Sequence, residues 1–490
     1  MKLDRRSIPY RVLENGVRLG GLIVFGLATS ASAGPDLSAV GLAAGLVVVG
    51  VTLTVGWELT RYRRYAYELT PDTFDIRSGV FSRREREIPY ERIQNVDIAQ
   101  NVVQRALSIA EVRIETAGGS GSEAQLRYVS RTEADRLQDE ISRRKRETVE
   151  EEEPETAGEG LFTLSDREHL VLGVVSADLR LLGLLTVALS LFAPGLARQL
   201  APRYDLVSLF GPAVAVVAIA GFWGLSGVLQ ILRYYGFTLT RRGGELRYER
   251  GLLQQYTGTI PLSKVQALSL RENALARAFG YASLVIQTAG RSPGQGGGSV
   301  ESAVPIAERA RALDLAREVE PFGEVSFERP PKRARTRYAI RYSLVLLGLT
   351  AVLRVAQEVT GLLPLWYLPL FGLVVVPIAA HLAWVHKGYY VDDEYVITRD
   401  GFWRRRTVVV PYDRVQTVFD SQTVFQRRRD LGTVTIDTAG GGGLGGGDAV
   451  AVDIDAGVAE QLRERVAGNL QRALGELEVR EAVEDEHEPV

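Results

Sequence analysis

Long apolar stretches alternate with polar segments along the chain. Three stretches carry no Asp, Glu, Lys or Arg and are long enough to cross a bilayer as helices: Leu37 to Trp57, Leu206 to Leu232, and Gly361 to Val385. A weaker apolar stretch precedes each of them, at Leu19 to Gly34, Leu181 to Ala197, and Tyr342 to Leu353. The pattern predicts an α-helical membrane protein with six spans in three hairpins. The alternative is that the weaker stretches are buried helices of soluble domains.

The basic residues predict an orientation for these hairpins. Five basic residues precede the first hairpin and three follow it, whereas none lies between Thr29 and Thr54. The third hairpin is also flanked by basic residues, but Arg198 and Arg203 in the loop of the second argue against the rule. The balance predicts a multi-pass cell-membrane protein. Its N-terminus, its C-terminus and the polar segments after each hairpin are expected in the cytoplasm.

The polar segments repeat one another in fixed register. The strings IPYERIQ, IPLSKVQ and VPYDRVQ align without gaps, at residues 88–94, 260–266 and 410–416. Around them, each copy has a glycine, an arginine and a Thr-Ala-Gly tripeptide at constant spacing, which predicts one hairpin and one polar module per repeat. The signature residues are Gly79, Pro89, Gln94, Arg105 and Gly118; Gly251, Pro261, Gln266, Arg277 and Gly290; and Gly401, Pro411, Gln416, Arg427 and Gly440.

Each module has a mostly β pattern. Val112 to Thr116 and Val434 to Thr438 alternate strictly between apolar and polar residues, as strands do. The repeated glycines fit hairpin turns that need positive φ, and the repeated prolines fit the start or edge of a strand. An amphipathic helix closes each module. The pattern predicts an α+β module of about seven strands, a small open barrel or sandwich plugged by its C-terminal helix.

The strings IPYERIQNV, VVQRAL and VRIETAG follow a basic and aromatic segment, RYRRYAYELT. This arrangement resembles the bacterial pleckstrin-homology (PH)-like, membrane-flanked domain. A chain with three such domains and paired spans is similar to membrane proteins of the YdbT type over nearly its full length. The resemblance implies three cytoplasmic PH-like β-barrels, no catalytic residues, and a smaller one-module relative as partner. The second module departs from it, because it lacks the tyrosine after Pro261.

The repeats define the predicted domain plan. Glu150 to Gly160 is acidic and predicted to be a disordered linker, and the tail from Glu476 is predicted to fray. Ser165 and Glu168 have capping-box spacing, which predicts the start of a helix. The segments are 1–60 (N-terminal segment and hairpin 1), 61–148 (module 1), 149–165 (linker), 166–232 (hairpin 2), 233–320 (module 2), 321–386 (linker and hairpin 3), 387–475 (module 3) and 476–490 (tail).

Composition excludes much chemistry. The chain has no cysteine, which excludes disulfides, thiolate zinc sites, iron–sulfur clusters and cysteine nucleophiles. Its four histidines lie outside the three modules, and its net charge of −2 offers no overall field for nucleic acid. The glycine-rich loops at 118–121, 294–298 and 440–447 lack the lysine of a phosphate-binding P-loop and are interpreted as hairpin tips. We expect no catalytic residue, metal site or cofactor.

Two basic clusters are candidate contacts with anionic lipid. The alternative for the first cluster is a solvated strand face with arginine–glutamate pairs. For the second, the aromatic residues would pack on a neighbouring module whose carboxylates meet the arginines. The repeated arginines and glutamines are interpreted as structural, through bonds to carboxylates or to the backbone. The candidate residues are Arg83, Arg84 and Arg86 in module 1, and Phe402, Trp403, Arg404, Arg405 and Arg406 in module 3.

The leading hypothesis is a non-enzymatic membrane protein. Its three modules would serve as a scaffold, or as a complex subunit, for contact with protein or anionic lipid. The expected partners are the bilayer and a membrane protein, with oligomers also possible. An alternative is a transporter or exporter component, but the uncharged spans at 37–57 and 206–232 argue against a polar path. A membrane hydrolase is disfavoured because no histidine lies in a module.

Overall fold

The computed structural model describes residues 1–15, 37–116, 124–148, 158–176, 206–288, 302–360, 365–439 and 449–485. The chain forms two compact units, residues 1–163 with 232–261 and residues 164–231 with 262–490. The second repeat is divided between them. Its first three strands belong to the first unit and its last three to the second.

The first unit contains two antiparallel sheets and the helix that closes the first repeat. One sheet has the order β1-β2-β3, and the other the order β6-β5-β4-β10-β9-β8-β7. Its strands are β1 (Ala66–Leu69), β2 (Thr73–Ser78), β3 (Arg84–Pro89), β4 (Ile93–Asn101), β5 (Ile109–Thr116), β6 (Ala124–Ser130), β7 (Glu159–Thr163), β8 (Thr238–Arg242), β9 (Glu245–Arg250) and β10 (Gln254–Pro261). Its helices are α1 (residues 7–15), α2 (Leu37–Arg64), α3 (Val102–Ala106) and α4 (Arg131–Thr148).

The second unit has sheets of the order β13-β12-β11-β16-β15-β14 and β17-β18-β19. Its strands are β11 (Val265–Asn273), β12 (Tyr281–Thr288), β13 (Ser302–Glu308), β14 (Gly388–Val391), β15 (Tyr395–Asp400), β16 (Arg404–Pro411), β17 (Val415–Ser421), β18 (Leu431–Thr438) and β19 (Ala449–Asp455). Its helices are α5 (Asp166–Val175), α6 (Leu206–Tyr234, which ends in the first unit), α7 (Ala274–Ala278), α8 (Arg309–Val319), α9 (Arg333–Thr360), α10 (Leu368–Phe371), α11 (Val376–Val385), α12 (Val424–Arg427) and α13 (Ala456–Asp485).

The predicted equivalence of the three modules is confirmed. Pro89, Pro261 and Pro411 each end the third strand of their repeat and are followed by a short 3₁₀ turn. They end strands rather than starting them. Each repeat has six described strands, one fewer than the alternation predicted. The closing helices bury the predicted face, which in α4 consists of Ala134, Leu137 and Ile141.

The predicted positive φ of the repeated glycines is also confirmed. Gly79, Gly251 and Gly401 have φ values of 117°, 103° and 92° in the turn before the third strand. A Cβ atom on Gly251 would collide with the carbonyl oxygen of Gln254. Only glycine therefore fits this turn without strain.

The repeated glutamines mark a β-bulge that the sequence did not reveal. Strand pairing shifts register around Gln94, Gln266 and Gln416, between the residues that flank each of them. The predicted side-chain bond to the backbone is not observed for Gln266 or Gln416 among the described residues. Gln266 is buried, whereas Gln416 is exposed. The backbone at the bulge, rather than the side chain, is the shared feature.

The apolar helices agree with part of the predicted membrane pattern. Within the residues described in full, one helix, Arg333–Val359, is long and apolar enough to cross a membrane. The segments Leu368–Val374 and Val376–Val385 pass the same criteria as a pair bent by 55°. Helices α2 and α6 contain the strong stretches at 37–57 and 206–232. The stretches at 19–34 and 181–197 lie outside the described residues, so the six spans stay a prediction.

The segments between modules are more ordered than predicted at their ends. Glu159 and Gly160, assigned to the disordered linker, belong to β7, which pairs with β8. Helix α13 continues to Asp485, well into the predicted frayed tail. The predicted capping box is confirmed, because the Ser165 hydroxyl accepts the Glu168 N–H and the Glu168 carboxylate accepts the Ser165 N–H.

Candidate functional site at the strand edges and hairpin tips

In the first unit, β4 of the first repeat pairs with β10 of the second. Asn101 lies opposite Gln254 and Ile98 opposite Thr257. Polar side chains bind across this join, because the Tyr256 hydroxyl donates to the Asp97 carboxylate. Asp97 is 1% exposed, so its carboxylate has a partner at the join although it is buried away from water.

In the second unit, β11 pairs with β16 in the same register. Asn273 lies opposite Arg404, and both residues occupy the repeat positions of Asn101 and Gln254. The Arg405 guanidinium donates two hydrogen bonds to the buried Glu272 carboxylate, at 2.7 and 2.8 Å. A bidentate pair of this kind fixes geometry as well as charge. The fourth strand of one repeat and the third strand of the next therefore form a recurring joint.

The repeated arginine closes the same joint from one side. Arg105 Nη2 donates to the carbonyl of Leu252 at 2.7 Å, and Arg277 Nη1 donates to the carbonyl of Phe402 at 2.9 Å. Leu252 and Phe402 each follow the signature glycine of the next repeat. Burial, and then the charge of Arg405, lower the pKa of Arg277. Each arginine thus holds the hairpin of the following repeat through a main-chain carbonyl.

The hairpin that carries the signature glycine exposes an apolar tip in every repeat. The residue two positions after the glycine is Phe81, Leu253 or Trp403, and these are 92%, 48% and 74% exposed. Each tip lies beside the end of an apolar helix. Phe81 contacts Trp57 at 5.5 Å between ring centroids, and in the third repeat Phe402 contacts His386 at 5.1 Å. In the second repeat the backbone N–H of Leu252 donates to the carbonyl oxygen of Leu232, near the end of α6.

The predicted lipid-contact residues fall into two groups. Trp403 and Arg404 are exposed at the tip of the third repeat, whereas Arg405 binds Glu272 and Arg406 Nε donates to Ser269 at 3.2 Å. Phe402 lies against the Arg277 guanidinium and the His386 ring. In the first repeat, Arg83, Arg84 and Arg86 are exposed at the start of β3, and Glu85 forms an ion pair with Arg77.

Burial and neighbouring arginines lower the pKa values of basic groups on the inner side of the third-repeat tip. Burial lowers the pKa of His386, and the nearby arginines lower it further, against the opposing effect of its hydrogen bond to the backbone of Leu382. Burial together with Arg405, Arg329 and Arg309 lowers the pKa of Arg399 to about 10, so it stays protonated at neutral pH. The excess of guanidinium groups gives this region a positive potential suited to anions.

The sequence does not reveal the hydrogen bonds and ion pairs that connect the first and third repeats to the basic segments that precede them. In the third repeat Arg333 Nε donates to the carbonyl of Arg429 at 2.7 Å, and Arg337 forms an ion pair with the fully buried Asp453. In the first repeat Arg6 Nη1 donates to Leu107, which occupies the repeat position of Arg429. From the sequence, these basic residues indicate only the orientation of the hairpins. Their partners are too distant in sequence for a pattern to reveal.

The described residues contain no group of acidic and histidine side chains able to hold a metal ion. His381 stacks on Trp384, and His386 Nδ1 contacts the carbonyl of Leu382. A groove of about 540 Å³ beside α4 is lined by both signs of charge, and its Asp139 pairs with Arg247. The glycine-rich loops lie outside the described residues, including Gly118, Gly290 and Gly440.

A chain of repeated six-stranded modules with closing helices has the architecture of a protein built from PH domains. The chain belongs to the bacterial PH domain family, whose sequence profile matches residues 22–145, 179–322 and 343–470. It is similar to the UPF0699 transmembrane protein YdbT of Bacillus subtilis (strain 168), with 26% identity across 80% of this chain and 83% of that protein. These matches confirm the resemblance and the triple repeat.

A smaller relative matches one part of the chain. The UPF0699 transmembrane protein YdbS of Bacillus subtilis (strain 168) is 35% identical over 112 residues, which cover 23% of this chain and 65% of that protein. No solved structure matches the chain.

The joint between the second and third repeats generates a stability prediction. Arg405→Ala should lower the free energy of unfolding by about 3 kcal/mol, because it removes the bidentate partner of the buried Glu272 carboxylate and leaves the ion pair with Arg309. Thermal unfolding of the purified chain in detergent measures this effect. The matched control is Arg404→Ala, an exposed neighbour, which should change stability little. Equal effects of the two substitutions would contradict a stabilising role for the pair.

Proposed function

We propose that this chain is a non-enzymatic, multi-pass membrane protein. Its three PH modules lie on the cytoplasmic face as a scaffold, or as a subunit of a membrane complex, for protein and anionic lipid. The observation that carries the proposal is the exposed apolar tip that recurs beside the end of an apolar helix in each repeat. The names of YdbT and YdbS, both transmembrane proteins, support membrane location.

The tip of the third repeat is the best candidate for lipid contact. It combines Trp403, which is 74% exposed, with the exposed Arg404, two residue types that favour the headgroup level of a membrane. Its position beside His386, directly after the apolar helix α11, keeps it near the membrane surface. Because the helix tethers the tip, even weak contacts operate at high effective concentration.

The partner in such a complex would be a membrane protein with a module of the same kind. A smaller relative of the YdbS type suits this role, because its match to the chain is the length of about one repeat. The uncharged stretches at 37–57 and 206–232 argue against a transport path, and no residue set in the described ranges supports a hydrolase.

The orientation is tested with reporter fusions. Fusions that end after Arg113, Val285 and Val434, one in each module, should all report from the cytoplasm, because an even number of spans precedes each site. Protease protection of the intact chain in oriented membrane vesicles gives an independent measurement. A fusion after Val285 that reports from outside would show that one hairpin has been miscounted.

Lipid contact is tested with a single reporter on the full chain, which has no native cysteine. An environment-sensitive dye on Trp403→Cys should report a more apolar environment in nanodiscs with anionic lipid than in neutral ones. The difference should shrink as salt rises and when Arg404→Gln is added, since each basic residue near an anionic surface contributes about 1 kcal/mol.

The matched control places the same dye on Asp393→Cys, in the exposed turn between β14 and β15. That site should show no dependence on lipid charge. If the dye reports the same environment at 393 and 403 in both lipids, the tip does not contact the membrane.

A further inference from the structure

The two joints between repeats leave one third strand and one fourth strand without a partner among the described residues. Each joint pairs the fourth strand of one repeat with the third strand of the next, β4 with β10 and β11 with β16. The first repeat also has a third strand, β3, and the third repeat has a fourth strand, β17. Within the described part of the chain, each of these two strands has a sheet neighbour on one side only.

Residues of β17 are more exposed than their equivalents in β4 and β11. Asp97 in β4 and Ser269 in β11 occupy one repeat position and are 1% and 0% exposed, whereas Phe419 at that position in β17 is 47% exposed. Glu272 is 3% exposed, whereas its equivalent Gln422 is exposed. A phenylalanine at an open strand edge favours association with another strand.

Residues of β3 are likewise more exposed than their equivalents in β10. Thr257 and Thr259 in β10 are 0% and 7% exposed, whereas their equivalents Glu85 and Glu87 are exposed. The hairpin before β3 also presents Phe81, which is 92% exposed. The edge that the joint buries in β10 and β16 is therefore open to solvent in β3.

The side chains on the two open edges are chemically complementary when the observed joint is transposed onto them. Arg105 and Arg277 donate to the carbonyl of the residue that follows the next signature glycine. At the open edges, Arg427 would donate to the carbonyl of Val80, which also accepts from Arg64 Nη1 at 3.3 Å and has two lone pairs. No hydrogen bond or ion pair of the Arg427 side chain is observed among the described residues. Three further side-chain pairs follow from the same repeat positions. Gln422 would contact Arg83, which is the equivalent of the Glu272–Arg405 pair. Phe419 would contact Arg84, the equivalent of Asp97 with Tyr256, and Thr417 would contact Glu87, the equivalent of Asn95 with Thr259.

The four transposed pairs named above are favourable in kind. A guanidinium can donate to an amide or carbonyl oxygen, or lie on the face of a phenyl ring, and a threonine hydroxyl can donate to a carboxylate. One pair of like charges, Asp420 and Glu85, comes to lie opposite each other. Each already has a cation of its own, Arg463 and Arg77.

We propose that β17 of one copy pairs antiparallel with β3 of a second copy of this chain, in the register of the two internal joints. Ser421 then lies opposite Arg84, as Ala99 lies opposite Tyr256. The contact is heterologous, because each copy offers one edge and receives the other. A second copy is the occupant that continuity favours, since the chain already makes this joint twice. The inference is independent of lipid contact.

Disulfide trapping tests the register directly in the full chain, which contains no cysteine. The double variant Arg84→Cys/Ser421→Cys, oxidised in membranes, should give covalent dimers and higher multiples of the chain. Residues directly opposite in an antiparallel pair have Cα atoms within disulfide range. Each single variant alone should give none, whereas a mixture of the two single variants should give a dimer that contains one of each.

Two controls keep the outcome decisive. The register-shifted pair Arg86→Cys/Ser421→Cys should form far fewer disulfides. In the second control, Arg427→Ala should weaken association about tenfold, whereas the neighbouring Arg428→Ala should not change it. Size-exclusion chromatography verifies that all variants are folded. Cross-links no stronger than those of the shifted pair, or dimers of either single variant alone, would overturn the proposal. So would a product in native membranes whose mass shows a smaller partner on β17 in place of a second copy.

Discussion

Backbone pairing between consecutive repeats is the constraint on which the other features depend. A small β module has strand edges, and unpaired N–H and C=O groups there need water or a partner. This chain uses the edges of neighbouring modules to satisfy one another, at β4 with β10 and at β11 with β16. The register is the same in both joints, and so is the arginine that closes them. Stability is therefore shared between repeats, as in other repeat proteins.

The joint also explains how the hairpin tips are held in position. The carbonyl oxygens of Phe402 and Trp403 accept hydrogen bonds from Arg277 and Ala274 of the preceding repeat. The main chain of the tip is thereby fixed while the indole of Trp403 stays 74% exposed. The neighbouring repeat supplies the support and the tip supplies the contact surface. A substitution in one repeat is thus expected to alter the surface of the next.

The parts of this architecture that follow from local physics were predictable from sequence. Gly79, Gly251 and Gly401 were predicted to have positive φ because a hairpin turn restricts its residues locally, and Ser165 was predicted to cap a helix for the same reason. The equivalence of the modules followed from spacing alone. The described residues show six strands in each repeat where about seven are predicted, because alternation does not show which residues join one strand.

The joints could not be predicted, because they connect residues far apart in sequence. Glu272 and Arg405 are separated by 133 positions, and neither is distinguishable from a surface residue by its neighbours. The sequence predicts lipid contact for the whole arginine cluster, yet Arg405 is largely buried against Glu272 while the adjacent Arg404 is exposed. Periodicity reports which face of a strand is apolar. It does not report which edge of that strand has a neighbour.

Hydrogen exchange of the full chain in a membrane mimic tests the central claim most directly. If consecutive repeats share sheets, the amides of β10 and β16 that point toward β4 and β11 should exchange as slowly as those of interior strands such as β5 and β12. Arg405→Ala should raise the exchange rate in β11 and β16 while leaving β4 and β10 unchanged. Rapid exchange of the amides along β10 and β16 in the unsubstituted chain, typical of open edges, would contradict the account.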